Sequence, residues 1–435
     1  MYIDEKGTQE SFDISDPFNW HSKIKYGNDM MRNYMANVWM INDECMPLFD
    51  HELGQIEKRY NDKRQSSVAE LKGEILLKGN FKNGIASMRK GSVDFYTELI
   101  KLCLKYKSTN MMYSVSKMNM LSSAKLSSWI YTLDSKRLID NPYSLMYSIT
   151  KYLDIEANED VIQKLVKKEY SQFDLLSSIY NHMSQFIHDT SHVNDRMVYQ
   201  LKEYKYICSI IQKSKHLAEK TAYVETATFN WGNVRFGIDL WSSENMLLNN
   251  VSPNNIICYL DQGINPNHFE TLHFQDIKSE QNSMFVSGIR VSDYIVALIG
   301  KLTSKLTSDT MYNPNIPSQY VNISDEFFDI KQDQFDLICL VFDYVFGDDN
   351  KYTYIVDTYS DSPEMTRAFI SYIASYDSYA DFIRVANNIH SLNVINLYAE
   401  WTRRRWHFSY GQTDFIRKEY GSYINAVNDG FMRPL

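Results

Sequence analysis

Hydrophobic positions along the chain change their spacing several times, and each spacing predicts a different kind of element. Residues 34–42 are rich in aromatic and β-branched side chains and predict a strand, and residues 47–60 then have helical spacing. Residues 92–106 carry apolar side chains at positions i, i+3, i+4 and i+7, which predicts an amphipathic helix capped by Ser92. Residues 110–118 predict another strand. Strands and helices therefore alternate at the start of the chain.

A long helical block follows these elements. From residue 121 to 224 the pattern is helical, with few strand signals. Strand signals return at residues 255–260 and 271–274, and an amphipathic helix is predicted over residues 286–306. Because α/β patterns stand on both sides of the block, we expect one α/β domain that is split by a helical insertion.

The last third of the chain predicts a separate helical domain. The Asn-Pro-Asn-Ile-Pro stretch at residues 313–317 predicts a linker. Residues 371–388 and 394–405 are the clearest helical runs beyond it. These changes of pattern divide the chain into two parts of an α/β domain, 1–119 and 226–306, a helical insertion, 120–225, and a C-terminal domain, 307–435.

The composition is that of a folded globular protein, since 44% of the residues are hydrophobic and 23% are charged. No apolar run approaches the roughly 18 residues that a membrane helix needs. The first residues also lack the apolar stretch of a signal peptide. We therefore expect a cytoplasmic protein with no membrane partner. Its five cysteines are far apart in the sequence and predict neither a disulfide framework nor a Cys-x-x-Cys zinc site.

Charge is distributed unevenly along the chain. Residues 307–435 contain 18 acidic and 10 basic residues, a net charge of −8 out of −9 for the whole chain. Such an acidic surface suits a basic protein partner, or simply keeps the protein soluble. Residues 78–107 instead contain seven basic and two acidic residues, a net charge of +5. This segment suits contact with phosphate, although a solvated lysine-rich helix face is the more common explanation.

Two shorter motifs have simple structural explanations. Residues 403–405 are three arginines between Trp401 and Trp406, which suggests stacking against single-stranded nucleic acid. Successive arginines point around a helix, however, so we expect at least one of them to pair with nearby acids. His188 and His192 are four residues apart, but a third zinc ligand is not evident. The sequence also has no phosphate-binding loop of the Gly-x-x-x-x-Gly-Lys type, no Gly-x-Ser-x-Gly elbow and no dinucleotide fingerprint.

Three carboxylates stand next to apolar segments, where a charge needs a reason. Asp4 ends an apolar lead into a hairpin predicted over residues 1–14, Asp261 ends a later strand, and Asp293 lies on the following helix. Alone, Asp4 is more commonly a simple carboxylate at the end of a strand. Two carboxylates about 4 Å apart repel by roughly 4 kcal/mol at an effective dielectric of about 20, so their convergence calls for a cation. Oxygen ligands select Mg²⁺ or Mn²⁺, which in pairs support phosphodiester cleavage.

A series of short motifs carries a resemblance to a known family. The motifs are, in order, Tyr2-Ile-Asp-Glu-Lys-Gly7, Glu70-Leu-Lys72, Tyr259-Leu-Asp261, Phe274-Gln-Asp-Ile-Lys278 and Gly288-Ile-Arg-Val-Ser-Asp293. The chain thereby resembles domain-of-unknown-function family 3800 over about residues 1–306, with the helical block as an interruption. The resemblance implies a ribonuclease H-like mixed α/β sheet with a large helical insertion and a helical C-terminal domain. It also implies an association with bacterial antiphage defence and mobile elements.

The resemblance implies roles for eight residues. Four acids match the family's ligand positions and are predicted to be catalytic and to bind Mg²⁺ or Mn²⁺: Asp4, Glu70, Asp261 and Asp293. Four flanking residues are predicted to orient those ligands or to contact phosphate: Glu5, Lys72, Asp276 and Lys278. For the two lysines, a salt bridge with the same acids is the more common explanation.

These residues predict a divalent-metal-dependent nuclease that acts on DNA or RNA. The chain departs from the family pattern at Lys6, where serine is usual, and at Arg290-Val-Ser-Asp293, where the family has Gln-Leu-Ala-Asp. A second hypothesis therefore stays open. In it, the protein is a catalytically inactive ribonuclease H-like module that senses a protein or nucleic acid and regulates a partner effector.

Overall fold

A computed structural model describes most of the chain. The described residues are 1–6, 33–64, 70–190, 198–222, 231–249, 251–310, 322–347, 354–356 and 358–435. The predicted hairpin beyond residue 6, the predicted linker at residues 313–317 and His192 lie outside these ranges.

The centre of the described molecule is a six-stranded mixed sheet with the strand order β5-β4-β1-β2-β3-β6. The strands are β1 (Tyr2–Lys6), β2 (Asn33–Met40), β3 (Thr109–Ser116), β4 (Ile257–Asp261), β5 (Asp276–Gln281) and β6 (Tyr354–Val356). Strand β2 is antiparallel to β1 and β3. Strand β4 is parallel to β1 and β5, and β6 is parallel to β3. The prediction of a mixed α/β fold is confirmed.

Helices surround the sheet and form the rest of the described molecule. They are α1 (Met46–Arg64), α2 (Gly73–Leu77), α3 (Lys90–Lys105), α4 (Lys117–Ser135), α5 (Pro142–Ile155), α6 (Glu159–Val166), α7 (Gln172–Thr190), α8 (Val198–Ser214), α9 (Trp231–Asn249), α10 (Ser287–Thr310), α11 (Gln332–Val341), α12 (Asp361–Ala374), α13 (Tyr379–Phe382), α14 (Asn387–Glu419) and α15 (Tyr423–Asn428). A π-helical turn, Phe342–Phe346, extends α11. Within the described residues, none of these helices combines the length and the hydropathy that crossing a membrane requires.

Both faces of the sheet are buried, which explains why β2 and β3 are buried along nearly their whole length. On one face, Tyr2 and Trp39 belong to a core that α10 covers. On the other face, Ile3 and Val38 pack with Trp231 of α9. Alternation along β1 therefore sends successive side chains into two different cores.

Helix α10 lies unusually close to β1. A Cβ atom at Gly288 would lie 2.3 Å from Cγ of Tyr2, so only glycine permits this approach. Four residues further along, the Ser292 hydroxyl donates to the Tyr2 carbonyl at 3.3 Å. These contacts fix the start of α10 across the strand that carries Asp4.

The C-terminal part of the chain contributes to two cores. Phe335, Ile338 and Phe369 share the core under α10 with the sheet, so the sequence boundary after residue 306 separates residues that pack together. The helical block has its own core, and Ile416 and Tyr423 belong to that core instead. The C-terminal part therefore connects the sheet to the helical block.

Most elements predicted from the sequence are confirmed to within a few residues: the strands at 34–42, 110–118 and 255–260, and the helices at 47–60, 92–106 and 286–306. The run predicted to be helical at 394–405 lies inside the longer helix α14. The predicted helical block is also confirmed, as helices α4 to α8 fill it within the described residues. Helix α9 lies beyond the block and packs against the sheet.

Three details of the prediction are wrong. Helix α3 begins before Ser92, because Arg89 is its N-cap residue, and the Ser92 hydroxyl instead donates to the Leu76 carbonyl at 2.7 Å. Residues 271–274 contain a 3₁₀ turn, and the strand follows at Asp276–Gln281, where alternate exposure leaves a polar sequence with little strand signal. Residues 371–388 form no continuous helix, since α12 ends at Ala374.

Candidate active site

Asp4 and Asp261 lie side by side on neighbouring parallel strands. The register pairs Ile3 with Leu260, so the next step along both strands brings Asp4 beside Asp261. Because side chains alternate along a strand, both carboxylates point to the face that carries Tyr2. The two carboxyl groups are within hydrogen-bonding reach of each other.

The surroundings of this pair favour protonation. Asp4 is only 6% exposed. Burial, followed by repulsion from Asp261, Asp293 and Glu5, raises the pKa of Asp4 well above its usual value, although the Glu5 N–H donates to it at 2.7 Å. Burial also raises the pKa of Asp261, against the opposing effect of the Gln262 N–H. The two carboxyls therefore retain a proton to higher pH than isolated carboxylates do.

Asp293 reaches the same cluster from helix α10. Its Oδ2 accepts the Gly73 N–H at 2.6 Å. Burial raises the pKa of Asp293, while the Gly73 N–H, Lys72 and Lys6 act in the opposite direction. A Cβ atom at position 73 would lie 2.4 Å from Cβ of Ala297 and 2.9 Å from the Asp293 carbonyl oxygen, so glycine is required for this contact.

Glu70 and Lys72 form a small network with Ser283 beside the buried acids. Lys72 Nζ lies 2.9 Å from Glu70 Oε1 and donates to Ser283 Oγ at 2.7 Å, and Ser283 donates to Glu70. Partial burial acts to raise the pKa of Glu70, but the bonds from Ser283 and Lys72 outweigh it, so the pKa is lowered. The Lys72 charge also acts on Asp261 and Asp293. Lys72 is thus a cation at the edge of the acid cluster.

The structure separates the remaining two predicted residues. Lys278 pairs with Tyr259 in the register, and its Nζ lies 5.0 Å from the centre of the Tyr259 ring, two residues before Asp261. Asp276 pairs with Ile257 at the opposite end of β4. Four residues of strand at 3.3 Å each put Asp276 about 13 Å from Asp261, so it does not join the cluster.

The positions that depart from the family pattern have structural roles. Arg290 Nε donates to Glu57 at 2.9 Å and Arg290 Nη1 donates to the Ser283 carbonyl at 2.8 Å, so Arg290 fastens α10 to α1. Lys6 lies close enough to Asp293 to lower its pKa. Both departures therefore place positive charge near the acids without removing a carboxylate.

Two residues of the site were not predicted from the sequence. Gly73 follows the Glu70-Leu-Lys72 motif directly, and a glycine at the start of the apolar Ile75-Leu-Leu run is a signal for a close backbone approach. Ser283 carries no such signal, because its role depends on the fold bringing it beside Glu70.

The shorter motifs fall elsewhere in the described structure. Arg404 donates to Glu400, and Arg405 lies 3.6 Å from Glu364, so the expected pairing of the arginine run with acids is confirmed. His188 lies on the exposed end of α7, with its Nδ1 3.1 Å from Asp189.

The donor set suits a hard divalent cation, since all four predicted ligands are carboxylates. Each is already bonded inside the protein: Asp4 with Asp261, Asp293 with the Gly73 N–H, and Glu70 with Ser283 and Lys72. Among the described residues, no three His, Cys, Asp or Glu side chains are grouped as a formed metal site. A cation would compete with protons for Asp4 and Asp261, since the pKa values of both carboxyls are raised.

Comparison of the chain with family models, with curated proteins and with solved structures gave no match.

Proposed function

We propose that this protein is a divalent-metal-dependent nuclease that hydrolyses phosphodiester bonds of DNA or RNA. The observation that carries the proposal is the meeting of Asp4 and Asp261 on adjacent parallel strands, with Asp293 acting on both. Asp4 is buried, Asp261 and Asp293 are partly buried, and burial raises the pKa of all three carboxyls. Such a group destabilises a fold, so we expect its charge to have a use. Binding of Mg²⁺ or Mn²⁺ is such a use.

The strand order supports the same proposal. Strands β3, β2 and β1 are antiparallel in series, and β4 and β5 continue on the other side of β1 in parallel. This order is typical of ribonuclease H-like domains, which is the fold that the sequence resemblance implies. In this frame, Asp4 occupies the central strand and Asp261 the neighbouring strand.

Each side chain has a separate task in the proposed reaction. Asp4, Asp261, Asp293 and Glu70 would hold the metal, which when bound activates a water molecule and stabilises the leaving oxygen. Lys72 offsets part of the acids' charge and favours the approach of an anionic backbone. Gly73 orients Asp293 through its N–H. The link to bacterial antiphage defence is part of the proposal and rests on the family resemblance alone.

The experiment incubates the purified protein with labelled DNA and RNA in Mn²⁺, Mg²⁺ or EDTA, beside the variant Asp261→Asn. We expect metal-dependent cleavage that the variant lowers at least about 100-fold, because it loses a ligand and the charge that attracts the metal. The exposed Asp62→Asn is the matched control and should retain cleavage.

A second measurement needs no substrate. Mn²⁺ at about 100 times its Kd should stabilise the wild type by about 2.7 kcal/mol and the variant by much less. Metal stabilisation that is equal in the wild type and in Asp261→Asn would contradict the proposed metal site.

The second candidate is the inactive module that senses a protein or nucleic acid. The observation in its favour is that protein donors already satisfy Glu70 and Asp293. Metal binding without cleavage of any substrate would favour this module over the nuclease.

A further inference from the structure

A second site lies beside helix α2, whose first residue, Gly73, contacts Asp293 of the acid cluster. It is a cavity of about 380 Å³ at the start of helix α3. Its lining, all within the described residues, includes none of the four predicted metal ligands. The volume is sufficient for a small polar ligand such as a phosphate together with part of the group that bears it.

Positive charge dominates this cavity. Four cationic side chains line it, Lys63, Lys78, Arg89 and Lys90, against a single acid, Asp94. Asp94 is shared, since it lies 3.2 Å from Lys90 and 3.7 Å from Lys63. Like charges that face a common cavity repel one another, and a bound anion relieves that repulsion.

Two of the four cations are available to a ligand. Lys90 also lies 3.6 Å from Asp333, so its charge is largely offset. Lys78 and Arg89 are exposed and have no carboxylate within ion-pair distance in the part of the chain that the structure describes. Both residues belong to the segment 78–107, which has a net charge of +5. Part of this basic segment therefore lines the cavity.

The arrangement selects a phosphate rather than a carboxylate. One guanidinium satisfies a planar carboxylate through two parallel hydrogen bonds. Here the cations come from α1, from the turn after α2 and from the start of α3, so they approach a ligand from several directions. A tetrahedral group with three or more free oxygens suits such a set. The first turn of α3 also lines the cavity, and its dipole adds to the attraction.

The cavity is fixed to the acid cluster by short contacts. The Ser92 hydroxyl at the start of α3 donates to the Leu76 carbonyl in α2 at 2.7 Å. Gly73, the first residue of α2, donates its N–H to Asp293 at 2.6 Å. Five residues at 1.5 Å each separate Gly73 from Lys78, a distance of about 8 Å along the helix axis.

We propose that this cavity binds a phosphate group, with Lys78 and Arg89 as its principal contacts. The phosphate is either part of a nucleic-acid backbone or a free phosphate, and the chemistry of recognition is the same for both. The site does not depend on metal binding or on cleavage at the acid cluster.

The test compares the double variant Lys78→Gln/Arg89→Gln with the control Lys101→Gln/Lys107→Gln, which removes two exposed lysines of the same segment that do not line the cavity. The first probe is a fluorescein-labelled single-stranded oligonucleotide in EDTA, measured by anisotropy at several salt concentrations. We expect the double variant to bind about tenfold or more weakly and to lower the salt slope by about 1.4, while the control changes little.

The second probe is inorganic phosphate, measured by the shift in Tm. Loss of both responses in the double variant alone supports the cavity as a general phosphate site, and loss of oligonucleotide binding alone assigns it to the nucleic-acid backbone. Loss of the phosphate response alone assigns it to free phosphate. Asp94→Asn should instead strengthen binding several-fold, because it removes the one acid that lines the cavity. A misfolded variant would not bind more tightly.

A double variant that matches its control with both probes would overturn the proposal. Failure of the proposed nuclease gives a different pattern, because Asp261→Asn would then leave cleavage unchanged while the cavity variants still alter binding.

Discussion

Asp4 and Asp134 are both buried, with 6% and 1% of their surfaces exposed, but their surroundings are opposite. Asp134 accepts two hydrogen bonds from the Arg417 guanidinium, at 3.0 and 2.8 Å, and one from the Tyr423 N–H at 2.7 Å. Asp4 instead accepts one backbone N–H and faces Asp261 and Asp293. One buried carboxylate is fully compensated, and the other is placed among like charges.

The difference distinguishes a charge that joins elements of the fold from a charge to which we assign a role in metal binding. The Asp134 interactions join α4 of the helical block to α14 and α15, so they serve the assembly of the fold. Asp4 instead faces acids on β4 and α10. Backbone pairing and the contact of α10 with Tyr2 already join these elements to β1. Under the proposed function, the mutual repulsion of these carboxylates is explained by a cation that binds between them.

The largest expected effect tests the structural side of this comparison. Asp134→Asn should lower the free energy of unfolding by about 3–5 kcal/mol, because it leaves the largely buried Arg417 guanidinium without its counter-charge. Urea unfolding measures the loss, with the exposed Asp62→Asn as the control. A loss of similar size in Asp4→Asn would remove the distinction between the two carboxylates.

The next effect concerns the backbone that orients Asp293. Gly73→Ala should cost about 1–3 kcal/mol, because the new Cβ would meet Ala297 and the Asp293 carbonyl oxygen and would push α2 away from α10. It should also reduce the stabilisation by Mn²⁺, since the N–H at position 73 would lose Asp293. Thermal unfolding with and without Mn²⁺ measures both effects.

Gly54→Ala is the matched control for this variant. An added Cβ at Gly54 meets nothing within 4 Å, and alanine is favoured over glycine inside a helix. We expect this variant to be neutral or slightly more stable. A Gly73→Ala protein that behaves like Gly54→Ala would show that the contact with Asp293 does not depend on the close approach.

The sequence predicts the parts of the site that depend on short-range patterns. Asp4 and Asp261 each follow a short apolar run, so both acids stand out in the sequence, and the structure brings them together. Asp261 ends its strand as predicted, whereas Asp4 lies in the middle of β1. Asp276 shows the limit of that approach. Its neighbourhood depends on where β5 begins after the 3₁₀ turns, and its polar, alternately exposed strand gives a weak signal.

Contacts between distant elements were less accessible to prediction. Ser283 approaches Glu70 only because the segment between β5 and α10 returns beside it, and the bond joins residues 213 positions apart. Ser92 was predicted to cap its own helix, but the fold supplies Leu76 as a better partner. The basic segment at residues 78–107 was visible as charge, whereas the cavity that collects part of it required the packing of α1, α2 and α3.

The smallest expected effect concerns pH and the acid cluster itself. The pKa of Asp4 is raised in the folded state by burial and by its acidic neighbours. Above the usual carboxyl pKa, the folded protein therefore binds more protons than the unfolded chain. The stability that Asp4 protonation contributes is present below that usual pKa and is lost as pH rises toward the folded pKa. Asp4→Asn removes this loss, so the metal-free variant should be more stable than the wild type near neutral pH, by about 1 kcal/mol.

Urea unfolding in EDTA at a series of pH values measures this difference, which should grow from acidic to neutral pH. Addition of Mn²⁺ should reverse the order of the two proteins, because the wild type then gains a ligand for its charges and Asp4→Asn does not. The exposed Asp62→Asn should follow the wild type under both conditions. If Asp4→Asn and wild type show the same pH slope in EDTA, the acids around Asp4 do not repel in the folded protein, and the contrast with Asp134 has no energetic basis.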